Sequence, residues 1–340
     1  MATGISIHVG VNRVDTTYYG DSFPVLEGAE ADAIDMAAMA EIAGFGERTL
    51  LLGREATAGA VKAAIQDAIR RLAPGDLLLI SFAGHGSRRL DSLVTGDGNL
   101  YLDGDEGEGE YDETWCTYDR DIVDDELYAL WADAAAGTRI VVVSDSCFSG
   151  DIVRDAELTA VLALGADDEE DQEDDEYEVT RSWVDPFEEA RRHGLIPRGV
   201  PYEVQREVSE RHACEYREEK RAAAFQKRPA LQASVLLLSA CSQNELAVEK
   251  DGHGVFTRVL LEAWHAEELS GGYSGLHRSV VKQMKALLRA AKTRPTPRCR
   301  FADGENPEFL GQDPFFIDQD VWDGRALRIR SAVPGTLHQA

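Results

Sequence analysis

The chain has 340 residues, 44% of them hydrophobic, and a formal net charge of -27, a length that admits two domains or one α/β domain with an insertion. That charge opposes binding to nucleic-acid phosphates or anionic lipid and leaves cationic segments and metal ions as the favoured charged partners. No apolar run approaches the ~20 residues of a membrane span, and the opening Met1-Ala-Thr-Gly4 lacks the basic and apolar regions of a secretion signal, so the expectation is a cytoplasmic protein without membrane or nucleic-acid partners.

Residues 4–12 predict a first strand, and the Ala- and Met-rich stretch 28–43 carries apolar residues at helical spacing. Residues 48–52 predict a short strand. Thr57 caps a predicted helix to about residue 72, Pro74-Gly75 turns the chain, and 76–82 reads as a buried strand. This βαβαβ rhythm predicts a mostly parallel sheet flanked by helices. A helix over 124–134, apolar strands over 139–146 and 234–240, and helices over 257–265 and 277–292 follow, with Pro295 and Pro297 ending the last. The five cysteines are an odd number without CxxC spacing, which argues against a disulfide framework or a zinc site.

Residues 157–231 break the rhythm and divide the chain into 1–156, a charged insertion, and the remainder 232–340. Ten of the twelve residues over 167–178 are acidic, a run expected to repel itself and stay solvated. The stretch 181–228 holds eleven Lys or Arg among many Glu, which reads equally as an exposed charged helix.

Two apolar runs end in reactive side chains. Asp76-Leu-Leu-Leu-Ile-Ser-Phe-Ala-Gly-His85-Gly86 delivers an imidazole, and Arg139-Ile-Val-Val-Val-Ser-Asp-Ser-Cys147 delivers a thiol. Open parallel sheets place functional groups where their strands end, and a Cys nucleophile needs a nearby base or cation to ionise. Alone, the Cys reads as a small hydrophobe and the His as a loop residue; together they read as nucleophile and base. Asp145, two residues before Cys147, points to the same side of its strand. Unpaired, it disfavours the thiolate by roughly 2 kcal/mol at ~7 Å and an effective dielectric of about 20. A cationic substrate side chain removes that penalty, which predicts cleavage after Arg or Lys.

Ser81-Phe-Ala-Gly-His85-Gly86 and Asp145-Ser-Cys147-Phe-Ser-Gly150 resemble the His and Cys boxes of metacaspases, caspase-like cysteine peptidases. Leu26-Glu-Gly-Ala-Glu-Ala-Asp32-Ala33, residues 111–127 and Gly252-His-Gly-Val-Phe-Thr257 extend the likeness. The resemblance implies an α/β caspase-like (caspase-hemoglobinase) fold and a Cys147–His85 dyad. It also implies an oxyanion site from the backbone N–H groups of Gly86 and Cys147, and a basic-residue pocket using Asp32 and Asp145. Asp32 otherwise reads as an exposed helix residue, and Gly86 as a turn glycine. The insertion matches the region often cut during maturation in such peptidases, making Arg181, Arg192, Arg221 and Arg228 candidate processing sites. Ala83 stands where some relatives have Ser.

Asp103, Asp105, Glu106, Glu108 and Glu110, with Asp124 and Asp125, suit a hard cation such as Ca²⁺ but do not match EF-hand spacing. The Asp124-Asp125 pair resembles the family's metal-binding box; Arg154, flanked by Asp151 and Asp155, departs from it. Residues 241–245 resemble another wall of the substrate cleft, with Cys241 read as core, and His193, His212, His253 and His265 read as solvated. The expectation is therefore an Arg/Lys-directed cysteine endopeptidase acting on protein substrates, latent until processing, calcium or a regulatory protein activates it. A catalytically silent interaction module and a thiol hydrolase of small amides are the alternatives.

Overall fold

A computed structural model describes residues 2–90, 93–94, 100–101, 111–147, 185–215, 230–242, 245–266, 270–289, 291, 295–302 and 306–317. The acidic run, Asp103, Asp105, Arg154, Arg181, Arg221 and Arg228 lie outside them. Six strands form the central sheet: β1 (Gly4–Gly10), β2 (Glu47–Leu52), β3 (Leu77–Ala83), β4 (Arg139–Asp145), β5 (Ser234–Ser239) and β6 (Arg298–Phe301). Their spatial order is β6-β5-β4-β3-β1-β2. All neighbours are parallel except β5 and β6. The sheet is thus mostly parallel, as the βαβαβ rhythm predicts.

Strands buried on both faces need apolar residues at successive positions, because the side chains alternate sides. Leu77, Leu79, Val141, Val143, Leu236 and Leu238 pack into one core, whereas Leu78, Ile80, Ile140, Val142, Val235 and Leu237 pack into the other. Helix α1 (Ala29–Ile42) follows β1, α2 (Ala58–Arg71) follows β2, and α3 (Asp124–Ala132) precedes β4. Helices α4 (Val255–His265) and α5 (Gly272–Leu287) join α1 on the first face. Thr57 caps α2 as predicted, its hydroxyl accepting from the Ala60 amide at 3.1 Å.

Helix α5 begins earlier than its sequence pattern suggests. The spacing predicts a start at residue 277, whereas the helix starts at Gly272, where a Cβ would lie 2.3 Å from the Leu310 carbonyl oxygen, and a Cβ on Gly275 would lie 1.7 Å from that of Ser270. These glycines permit close approach at the helix start.

Chain order and strand order disagree at one place: β1 leads outward to β2, and the chain then crosses to β3 on the other side of β1. Such a reversal opens a crevice at the carboxyl ends of the strands. The charged insertion also contributes here. Its residues 185–215 are folded, with helices Pro186–Arg192 and Tyr202–Arg211 flanking a two-residue strand, Ile196–Pro197, that pairs antiparallel with Val248–Lys250. Among the described residues no helix is long and apolar enough to cross a membrane.

Candidate active site

His85 follows β3 and Cys147 follows β4, so the two parallel neighbours bring both to the same sheet edge. The Gly86 backbone is packed directly on Cys147: a Cβ there would fall 1.8 Å from the Cys147 carbonyl oxygen. Gly86 is thus required by close approach, which sequence alone could not separate from a turn role. The His85 Nε2 lies 3.1 Å from the Pro24 carbonyl oxygen. A carbonyl only accepts, so Nε2 carries the hydrogen and Nδ1 is left with its lone pair. Nδ1 is buried and without a hydrogen-bond partner among the described residues. Burial lowers the His85 pKa to about 4. Burial likewise pushes the Cys147 thiol well above its ordinary value, with Cys241 adding to the effect. Both groups are therefore neutral at pH 7 in this state. The Cys147 Sγ accepts a hydrogen bond from the Ala247 amide at 3.1 Å.

Asp32 lies in the first turn of α1 and Asp145 ends β4. Both carboxylates meet at the N-terminus of α4, where unpaired N–H groups favour negative charge. The Gly254 amide donates to both oxygens of Asp32 at 3.1 and 2.9 Å. The Thr257 amide and hydroxyl donate to Asp145 Oδ2 at 2.9 and 2.7 Å. A Cβ on Gly254 would lie 2.1 Å from that same oxygen. The Gly-His-Gly-Val-Phe-Thr motif thus forms the floor beneath two carboxylates, and Asp32 is buried rather than exposed.

A third carboxylate, Glu249, completes the cluster. Its oxygens accept from the Glu27 and Gly28 amides at 3.0 and 3.1 Å, satisfying donors at the start of α1. Nothing in its local sequence distinguishes it.

The cluster holds a cation from the chain itself. Arg198, from the charged insertion, is fully buried. Its Nη1 donates to the Asp145 carbonyl at 2.9 Å and lies 3.1 Å from Asp145 Oδ2. Its Nη2 pairs with Asp32 and lies 3.1 Å from Glu249 Oε1. Arg198 also engages through its main chain: its amide donates to the Ala247 carbonyl at 2.8 Å, and its own carbonyl accepts from the Gly86 amide at 3.0 Å. Burial by itself would lower the Arg198 pKa, but Asp145, Asp32 and Glu249 hold it well above its ordinary value. Burial by itself would raise the Asp32 carboxyl, but Arg198 and hydrogen bonds from His253 and Gly254 bring it below its ordinary value. Asp145 stays raised, by burial first and by Asp32, with Arg198 opposing.

Other expectations are redistributed. Arg192, the one candidate processing residue within the described residues, ends a helix and pairs with Glu188 and Glu189 at 3.6 and 3.4 Å, a helical rather than extended setting. His253, expected to be solvated, lies 3.2 Å from Asp32, whose hydrogen bond raises its pKa. His212 stacks on Tyr18 with ring centroids 3.7 Å apart, and His193 lies 3.5 Å from Glu189. His265 is exposed. Glu245 braces the loops around the site, accepting from Ser242 and Thr296. Cys241 is buried in the core.

Asp124 and Asp125 occupy the first turn of α3, where Asp124 Oδ1 accepts from the Asp125 amide at 3.0 Å. Among the described residues no group of three or more His, Cys, Asp or Glu gathers to hold a metal ion. Asp103 and Asp105, expected to join them around a cation, lie outside the described residues.

No motif points to Arg198, Glu249 or Pro24, and Thr257 shows in the sequence only as the last residue of the Gly252–Thr257 motif. Arg198 had one visible signal: Leu195-Ile-Pro-Arg-Gly-Val-Pro201 is a short apolar run with a single charge inside a strongly charged insertion.

A family model for the caspase domain matches residues 14–304. Metacaspase-1B of Aspergillus terreus is 37% identical over 92 residues, which are 26% of this chain and 21% of that protein. The chain thus aligns with about a fifth of that curated relative's length. The crystal structure of protein GSU0716 from Geobacter sulfurreducens superposes with a TM-score of 0.67 at 31% identity, covering 93% of this chain and 99% of that one. Caspase-1 from Spodoptera frugiperda superposes at 0.46 and 12% identity, covering 88% and 86%.

Proposed function

The chain belongs to the caspase-domain peptidase family, and on that premise we propose that it is a cysteine endopeptidase cutting proteins after arginine or lysine, latent until activated. The observation that supports this most is the clasp on Arg198, in which a buried guanidinium meets three carboxylates while its carbonyl meets the Gly86 amide. A substrate arginine in that position brings its scissile carbonyl to the end of the Cys147 strand.

In this reading His85 Nδ1 takes the thiol proton and Cys147 Sγ attacks the carbonyl carbon. The Gly86 amide, joined by that of Cys147, stabilises the oxyanion, and His85 returns the proton to the departing amine. Water then hydrolyses the thioester. Pro24 orients the imidazole, and its carbonyl stabilises the imidazolium formed in the first step. The basic side chain also removes the unfavourable field that Asp145, Asp32 and Glu249 exert on a thiolate. Specificity and reactivity are thereby linked.

Activators in this reading are proteolytic processing, calcium or a regulatory protein. The test compares wild type with Cys147→Ala on a peptide library randomised before the scissile bond, with calcium, with chelator, and after limited proteolysis. Cleavage that depends on Cys147 and follows Arg or Lys is expected. Cleavage after Asp or an apolar residue would overturn the specificity, and silence under every condition would favour an interaction module.

A further inference from the structure

Any buried residue needs backbone partners as well as side-chain ones, and what sets Arg198 apart is where its partners lie. Its carbonyl accepts from Gly86, the residue after His85, its amide donates to Ala247, whose own amide donates to Cys147 Sγ, and the two residues before it pair antiparallel with Val248–Lys250. Gly199, immediately after it, lies against the nucleophile, since a Cβ there would stand 3.2 Å from Cys147 Sγ and 2.8 Å from Leu246 Cδ2. We propose that Arg198–Gly199 is the bond this enzyme cuts first, in its own chain, and that until the cut residues 195–201 shut the site against other chains. This rests on the peptidase reading above and adds its first substrate and its latch.

Closure follows from burial. Cys147 and Arg198 are 0% exposed and His85 is 2% exposed, so another chain has no approach while the segment is in place. An open cleft of about 300 Å³ lies beside it, lined by Pro24, Val25, Phe187, Ile196, Pro197 and Gly199 among others, and by neither member of the dyad. Both sides of the bond are anchored. Ala190 and Leu195 pack into the main core, whereas Val200 and Val208 pack with Tyr19 and Phe23. Such clamping makes the attack intramolecular and removes the entropy of encounter. The dyad rests neutral: burial disfavours the thiolate, opposed by the Ala247 amide that donates to Cys147 Sγ, so the cut waits on transfer of the thiol proton to His85.

The chemistry balances with water as the only added reactant. The Cys147 thiol proton passes to His85 Nδ1 as the S–C bond forms at the Arg198 carbonyl carbon. The Arg198–Gly199 C–N bond then breaks, and the proton moves to the Gly199 amine. Water cleaves the thioester, leaving an Arg198 carboxylate and the free thiol. The cut separates Arg198 from the anchor that Val200 and Val208 make on its other side, so its end is held from one side only, which opens the pocket.

The full chain is incubated at several concentrations as wild type, Cys147→Ala, Arg198→Lys and Gly199→Val, with and without calcium, and followed by intact mass and N-terminal sequencing. In parallel, hydrolysis of an external Arg peptide is measured. The expected result is a fragment beginning Gly199-Val-Pro201 from wild type and none from Cys147→Ala. Its half-time should not change on dilution, and Arg-peptide activity should rise in step with it. Arg198→Lys, which keeps the charge, should be cut severalfold more slowly, and Gly199→Val more slowly still while folded by circular dichroism. External Arg-peptide cleavage with Arg198–Gly199 intact would overturn the latch and leave the peptidase reading standing. A cut whose rate scales with protein concentration would overturn the intramolecular step. Loss of both activities would sink the peptidase reading, and the latch with it.

Discussion

Replacing Arg198 by alanine in the uncleavable Cys147→Ala background removes the cation shared by Asp32, Asp145 and Glu249, all of which remain buried. Removing one partner from a buried ion pair costs about 3–5 kcal/mol, because the remaining charges are left uncompensated. With an unfolding entropy of about 2.1 cal/mol/K per residue, 340 residues give about 0.7 kcal/mol per degree. The expected fall in Tm is thus about 4–7 °C by differential scanning fluorimetry. The pocket so emptied should accept a free guanidinium. Agmatine at about a hundred times its Kd restores about 2.7 kcal/mol, or about 4 °C, in the variant and nothing in the parent. The pH dependence has a definite sign. In the parent, Arg198 holds the folded-state pKa of Asp32 below its unfolded value. Its stabilisation is therefore present above the unfolded pKa and lost as pH falls through the folded one. Without the cation, the buried carboxylates shift upward, so the Tm deficit should shrink as pH falls from 7 to 5. An Arg198→Ala variant as stable as its parent, or agmatine shifts equal in both, would refute the reasoning that this pocket is built for a cationic side chain.

Gly86→Ala sets a Cβ 1.8 Å from the Cys147 carbonyl oxygen and displaces the amide that donates to the Arg198 carbonyl, the donor proposed for the oxyanion. Turnover of Arg peptides should fall about 10²-fold or more, and a rate within severalfold of wild type would contradict the assigned donor. Glu249→Gln leaves the Glu27 and Gly28 amides an oxygen acceptor but removes one of three pocket charges. The preference for an arginine over a citrulline peptide in kcat/KM should drop by roughly 2 kcal/mol or more, and an unchanged ratio would remove Glu249 from the pocket. His85 and His8, the latter buried within β1, are held by burial at about 4 and about 3, below the unfolded value of 6.5. The unfolded chain therefore binds more protons, and stability should fall as pH drops from 6.5 to 4, by about 3 kcal/mol for each imidazole. Urea melts should register this, with His85→Gln flattening the slope; parallel curves would show that the imidazole is not buried neutral.

How much was legible beforehand depended on the range over which each residue acts. The apolar runs at 76–82 and 139–146 declare doubly buried strands, because the residues on both faces must be hydrophobic whatever lies opposite. His85 and Cys147 stand out as polar groups closing those runs. Asp145 is likewise readable, since two-residue periodicity alone puts it near Cys147. Glu249 was not, and Thr257 showed only as the end of a motif, without its role. Their partners, Gly28 and Asp145, are 221 and 112 residues away in the chain, and neither residue sits in a pattern with a period. His253 was misjudged for the same reason, its carboxylate partner Asp32 lying at the far end of the sequence.

The insertion shows the division most clearly. Composition by itself determined that the acidic run over 167–178 interrupts the alternation of strands and helices, because charges of one sign repel one another and favour solvent. Local pattern likewise determined that the chain carries a thiol and an imidazole at the ends of two strands. Only the tertiary structure decided which of the many insertion arginines is unlike the rest. Arg198 is distinguished by three carboxylates delivered from the first turn of α1, the end of β4 and the Val248–Lys250 strand, and charge complementarity between segments so far apart in the chain cannot be read from any one of them alone.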